Sequence, residues 1–262
     1  AARAALLPGY RLFYDALVDY GDWVLVEPRG FVFRPRVDPI WWRPYYDGYW
    51  APTDTYGWVW NSADAFGWAT DHYGRWFYDD FQGWVWTPGL EWGPAWVTWR
   101  MGDDLVSWAP LPLAGTGGWS DRIPGGPFLY AATADLAHGD LRARVRTAEQ
   151  AGVNTMKLEP VEREVVRDGV RIPLGPPIER VERAYGFAIP RVRLEELMPL
   201  GAATLRPAAD AAGAAAGADS AREPLLAAPL AEIRRAGEQA ARDIRDITGR
   251  QSPPPLRVPV LR

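Results

Sequence analysis

The chain contains no cysteine. Disulfide staples, thiolate metal sites, thiol nucleophiles and a lipid-bearing N-terminal cysteine are therefore excluded. A chain of 262 residues can bury enough core to do without a staple, so an oxidising compartment stays open. Histidine is nearly absent, with only His72 and His138 present. Asp71-His72 are adjacent and His138-Gly139-Asp140 is turn-like, so neither histidine has a partner at ligand spacing. Both are expected at the surface or in caps, with no catalytic or metal role and no cofactor. Lys157 is the sole lysine among 29 basic residues, a bias that fits a GC-rich genome. The net charge of -4 leaves no basic footprint for nucleic acid or for anionic membrane surfaces. No stretch approaches the roughly 18 to 20 apolar residues of a membrane-spanning helix, so no transmembrane segment is expected.

What is present is aromatic and unevenly placed. All 15 tryptophans lie between Trp23 and Trp119, and none in the 143 residues that follow. The Gly/Pro-dense stretch from Leu113 to Pro127 sits where they stop, which predicts a boundary. Four regions are expected: a Trp-rich β-hairpin domain over 1–118, a small α+β domain over 119–200, an Ala/Gly linker over 201–222, and an amphipathic helix with a Pro-rich tail over 223–262. The small-residue run at Ala1 to Ala5 fits the mature side of a cleaved signal peptide; the alternative is that flanking residues are simply left out.

A unit of the form G-x-W, polar turn, G-aromatic-V-aromatic occurs three times. Its copies are Gly21-Asp22-Trp23 with Gly30-Phe31-Val32-Phe33, Gly48-Tyr49-Trp50 with Gly57-Trp58-Val59-Trp60, and Gly74-Arg75-Trp76 with Gly83-Trp84-Val85-Trp86. Alternation along a strand puts the two rings on one face and the valine on the other, so each unit predicts a β-hairpin. Turns are expected at Pro28-Arg29, Thr53-Asp54 and Asp79-Asp80. A fourth hairpin is expected from Trp96–Trp99 and Leu105–Trp108 around Met101–Asp104. The fold class is mainly β, a hairpin meander expected to form a small barrel, a sandwich or a propeller-like sheet. A helix over Tyr10–Tyr20 could cap it.

Downstream, the pattern predicts a strand at Phe128–Tyr130, a helix over Asp140–Ala151, strands at Val153–Leu158 and Val161–Val166, and a turn at Arg167-Asp168-Gly169 into Val170–Ile172. A helix should begin at Pro177 and end at Gly186. Over Pro229–Thr248, Leu230, Ile233, Ala240, Ile244 and Ile247 share a stripe opposite arginines, which predicts an amphipathic helix that needs a surface to dock on. Ser252–Arg262 is proline-rich and reads as an extended tail.

The run Gly83–Arg100, closed by Trp108-Ala109-Pro110-Leu111-Pro112, together with Phe13–Leu17 and Tyr20-Gly21-Asp22-Trp23, resembles a family of exported Trp-rich bacterial proteins of unknown function. The likeness extends through Val165–Val170 and Ile178–Gly186 to cover roughly 10–198. The resemblance implies export and brings no enzymatic activity with it.

Paired carboxylates at Asp79-Asp80 and Asp103-Asp104, with Glu91, are the remaining route to catalysis, of the glycosidase kind. Both pairs fall where turns select aspartate for local hydrogen bonds, so no catalytic residue is expected. Fifteen indoles exceed what a small sheet needs, and some should lie at a surface. Consecutive aromatics cannot all face one core, which singles out Trp41, Trp42, Arg43, Tyr45 and Tyr46 as a partner-binding surface, with Ile233 and Ile244 in the C-terminal arm. The expected function is a non-catalytic exported binding or scaffold protein, periplasmic or at the cell surface, acting as an extrinsic subunit of an envelope or membrane-protein assembly. The alternative is a module that binds peptidoglycan or exopolysaccharide by tryptophan stacking.

Overall fold

The computed structural model describes residues 1–114, 118–152, 158–167 and 169–197. The three repeats form three antiparallel hairpins: β1 (Gly21–Val26) with β2 (Gly30–Pro35), β3 (Gly48–Thr53) with β4 (Gly57–Ser62), and β5 (Arg75–Asp79) with β6 (Gly83–Thr87). Their registers are equivalent. Trp23 faces Phe33, Trp50 faces Trp60 and Trp76 faces Trp86. The glycine two residues before the first ring shares its face, and the second ring lies across it. A Cβ on Gly21, Gly48 or Gly74 would come within 2.6, 2.7 or 2.8 Å of the Phe33, Trp60 or Trp86 ring and would also meet the carbonyl of Arg34, Asn61 or Thr87. The repeated glycine is thus the seat of its partner's ring.

Hairpins one and three join into one sheet in the order β1-β2-β6-β5, through Phe33 opposite Trp86. The fourth hairpin, β7 (Val97–Met101) with β8 (Leu105–Pro110), pairs Trp99 with Trp108. It continues into β9 (Leu129–Ala132), β10 (Arg146–Thr147) and β11 (Glu159–Pro160), giving the order β10-β9-β8-β7-β11. The β3–β4 hairpin stands by itself between loops that take up its edge groups. Trp58 N–H donates to the Leu174 carbonyl at 3.1 Å, Trp60 N–H to Pro94 at 3.0 Å, and Val192 N–H to the Pro52 carbonyl at 2.9 Å. A last hairpin pairs β12 (Glu164–Arg167) with β13 (Val170–Pro173). The described residues are therefore mainly β, in small antiparallel sheets of which none closes.

Helices are short. α1 is Ala2–Ala5, and α2 (Arg11–Leu17) buries Phe13, Ala16 and Leu17. Phe13 meets Trp86 edge-on at 5.2 Å and Tyr73 at 5.6 Å, so the helix caps the first sheet as its spacing predicts. α3 is Gly67–Thr70. The helix expected over Asp140–Ala151 does not form as such. Only α4 (Ala148–Ala151) is helical, and it starts at a capping box in which Thr147 and Gln150 exchange side-chain and backbone bonds. Arg146 and Thr147 are committed to β10 instead, while Leu141 and Val145 are buried from non-helical backbone. α5 (Ile178–Tyr185) follows Pro177 and ends at Gly186 in the left-handed conformation; α6 is Leu194–Leu197. The expected strand at Val153–Leu158, the linker and the C-terminal helix fall wholly or mainly outside the described residues.

Tryptophan supplies the core. Trp50 lies 4.4 Å from Trp99, 5.0 Å from Trp60 and 5.8 Å from Trp108, joining the second and fourth hairpins. In β4 and β6 the rings and the intervening valines are all buried, so these strands are covered on both faces. Four buried indole N–H groups find carbonyls, Trp58 on Pro176, Trp86 on Tyr73, Trp96 on His72 and Trp108 on Tyr45, whereas those of Trp50, Trp60 and Trp68 meet no acceptor among the described residues.

Gly57 and Gly83 occupy the same place in their hairpins and both adopt left-handed φ, +63° and +73°, but a Cβ on Gly57 would strike the Leu174 backbone while one on Gly83 would meet nothing within 4 Å. Gly83→Ala is expected to cost about 1 kcal/mol and Gly57→Ala at least ~2 kcal/mol more, read from urea midpoints at constant m-value. Equal losses would show that the Leu174 contact is not made.

Candidate binding site

Residues 36–47 link β2 to β3 as a strap whose 38–41 stretch is exposed and whose 42–47 stretch is buried or half-buried. Asp38 sets its turn, since one carboxylate oxygen accepts the N–H of Ile40 at 2.8 Å and of Trp41 at 3.4 Å. Ile40 and Trp41 point outward, 69% and 72% exposed. Trp42 turns inward, where its indole N–H donates to Asp64 Oδ2 at 3.0 Å and its ring lies 5.2 Å from Trp76. Arg43 is buried, and its guanidinium donates to the carbonyls of Gly126 and Pro124. Burial lowers its pKa, opposed by the nearby Tyr46 and Tyr78. Tyr46 is half-buried under Arg142, 5.7 Å from its ring.

Tyr45 is the strap's deepest anchor. It is the one non-glycine residue with left-handed φ among the described residues, at 58°. Its hydroxyl donates to the Asp71 carbonyl at 3.1 Å and accepts the Trp96 N–H at 3.2 Å, and its own carbonyl accepts the Trp108 indole. The residues singled out in sequence are therefore divided. Trp41 is at the surface, Trp42 and Tyr46 are half-buried, Arg43 and Tyr45 are inside, and Ile233 and Ile244 lie outside the described residues.

Sheet register places a second exposed ring at the same end. Gly21 pairs with Pro35, Phe33 with Trp86 and Asp79 with Gly83, so the start of β1, the end of β2 and the tip of β5–β6 coincide. Arg34 closes that end by donating to Gln82 Oε1 at 2.7 Å. Phe81, at the tip, is 91% exposed, and its N–H bonds Asp79 Oδ1 at 2.9 Å. Ile40 and Phe81 carry no repeat signature. Only the Asx-turn spacing, Asp38 to Ile40 and Asp79 to Phe81, marks them.

Beneath the strap lies a buried polar floor. Asp71 accepts the Trp76 indole N–H at 3.1 Å and the Thr70 hydroxyl at 3.4 Å. Desolvation, and then the neighbouring Asp64 carboxylate, push its pKa up to about 7. His72, expected at the surface or in a cap, is instead buried, with Nδ1 2.9 Å from the Gly93 carbonyl and its ring stacked on Trp92. Desolvation holds its pKa down at about 4, against the Gly93 bond. Among the described residues no three His, Cys, Asp or Glu side chains converge as a metal site. The Asp pairs serve as turn and surface groups: Asp79 caps its turn, Asp80 bonds Ser120 and Arg122, and Asp103 meets Arg180 at 3.2 Å.

Asp71 and His72 oppose each other in pH. Between the ordinary carboxylate value of 3.8 and about 7, the folded chain holds a proton on Asp71 that the unfolded chain has lost, so this group's contribution to stability falls as pH rises. Between about 4 and 6.5 the unfolded chain holds a proton on His72 that the folded chain lacks, so this contribution rises. Asp71→Asn should leave stability climbing from pH 4 to 6.5 relative to wild type, and His72→Gln should leave it falling, each by about 1.4 kcal/mol per pH unit. Parallel pH profiles in urea titrations would show that neither shift exists. Tyr45→Phe should cost about 1 to 3 kcal/mol, because the buried Trp96 N–H loses its acceptor.

Comparison with curated proteins and with solved structures finds no match. Residues 14–115, which contain all four Trp-paired hairpins and the strap, match the model of a family of unknown function (DUF6600), in keeping with the resemblance carried by the repeats.

Proposed function

We propose that this protein is a non-catalytic binding and scaffold module, exported to the periplasm or cell surface, that attaches as an extrinsic subunit to a larger envelope assembly through the aromatic end of its first sheet. The observation that carries this reading is how the tryptophans are used. Ten of the fifteen are buried, four are half-buried, and Trp41 alone is exposed. That ring is displayed beside Ile40 on a turn fixed by Asp38 and anchored by Trp42, Arg43 and Tyr45. A rigid aromatic anchor offered to solvent loses little entropy on docking, and such residues dominate protein interfaces. Its setting favours protein over glycan, since Ile40 beside it and Phe81 at the tip of β5–β6 are exposed apolar side chains.

Ile40→Asp combined with Trp41→Ala should leave thermal unfolding within about 0.5 kcal/mol of wild type, because both side chains are mostly in water. The same pair should abolish co-purification of envelope proteins with the tagged chain from native membrane extracts. Undiminished co-purification would remove this surface from the account, and retention of the wild type on peptidoglycan in place of any protein would favour the glycan alternative.

A further inference from the structure

The aromatic end of the first sheet has a chemistry that selects among protein partners. Six aspartates, Asp19, Asp22, Asp38, Asp79, Asp80 and Asp121, belong to its loops and strand ends, against Arg34, Arg36 and Arg122. Arg34 and Arg36 are paired with Asp22, and Arg122 with Asp80. The exposed rings and aliphatics there, Trp41, Phe81, Ile40 and Val18, are therefore framed by an excess of negative charge. A matching partner is an extended segment with aliphatic or proline side chains to lie on the rings and arginines to meet the aspartates.

This chain carries such a segment. Its last fourteen residues, Gly249 to Arg262, hold Arg250, Arg257 and Arg262 and no acidic residue. Three consecutive prolines, Pro253–Pro255, are followed by Leu256, Val258, Val260 and Leu261. Proline fixes φ before binding, which lowers the ordering cost of laying a chain along aromatic rings. About 54 residues separate Leu197 from Ser252, and a chain of that length can span up to roughly 180 Å, so connectivity sets no restriction. We propose that Ser252–Arg262 docks on the Ile40–Trp41–Phe81 end, so that the tail occupies the surface to which a host protein attaches. The inference rests on the reading of that end as a docking surface.

The full chain carrying p-benzoylphenylalanine in place of Phe81 tests it. On irradiation of the purified protein, cross-links are expected to map by mass spectrometry to 252–262, at monomer mass if the tail serves its own chain and at dimer mass if it serves a second copy. Changing Arg250, Arg257 and Arg262 together to glutamate should lower that yield roughly tenfold, and about 0.5 M salt should lower it in the wild type. Cross-links to other segments, or a yield indifferent to the three changes, would overturn the tail assignment. Irradiation in native membrane extracts separates the two readings: cross-links to an envelope protein with none to the tail would sink this inference and keep the docking surface, while no cross-link to any polypeptide in either setting would sink both.

Discussion

Each repeat depends on one contact, an aromatic ring laid across a glycine of the opposite strand. With no Cβ at Gly21, Gly48 or Gly74, the Phe33, Trp60 or Trp86 ring can settle onto backbone, and the ring two residues along the first strand then meets it as a cross-strand pair. A register slip by one residue would put every ring on the wrong face, so the contact fixes pairing as well as packing. Three hairpins built this way bring large rings to one interior, where α2 and the Trp99–Trp108 pair complete it.

Several indoles of the interior draw loops to their N–H groups, although those of Trp50, Trp60 and Trp68 stay without an acceptor among the described residues. Trp86, Trp96 and Trp108 donate to the carbonyls of Tyr73, His72 and Tyr45, while Trp42 and Trp76 donate to Asp64 and Asp71. Loops at 42–46 and 71–73 are thereby drawn under the sheets, and a carboxylate and an imidazole become buried with them. Their displaced titrations follow from that burial. The strap that delivers Trp42 and Tyr45 to the interior cannot also bury Trp41, whose side chain leaves the opposite side of the turn.

How much of this is legible in the sequence depends on the range of the interaction. Hairpin positions, turn sites and the α2 and α5 helices are legible in the sequence, and Pro177 and Gly186 bracket α5 in both sequence and structure. Pairing between hairpins does not. The sequence carries nothing local to say that β2 bonds β6 while β3–β4 stands apart, because that choice is made by rings distant in the chain, such as Phe33 and Trp86. In the strap, the adjacent Trp41 and Trp42 part company, but the residues from Trp42 to Tyr46 are all covered, so the division differs from the expected surface. Arg43 and Tyr45 go inside because distant carbonyls and the Trp96 N–H await them there. Thr147 shows the opposite case, where a local capping box starts a short helix in place of the longer one expected over Asp140–Ala151.

If the repeat glycines exist to seat a ring, Gly21 shows it most directly, because its backbone is not in the left-handed region and alanine could otherwise take its place. The free energy of unfolding of Gly21→Ala in urea should fall by about 3 kcal/mol, the cost of forcing a methyl group between the Phe33 ring and the Arg34 carbonyl. A value within about 0.5 kcal/mol of wild type, the range of an ordinary surface substitution, would contradict the account.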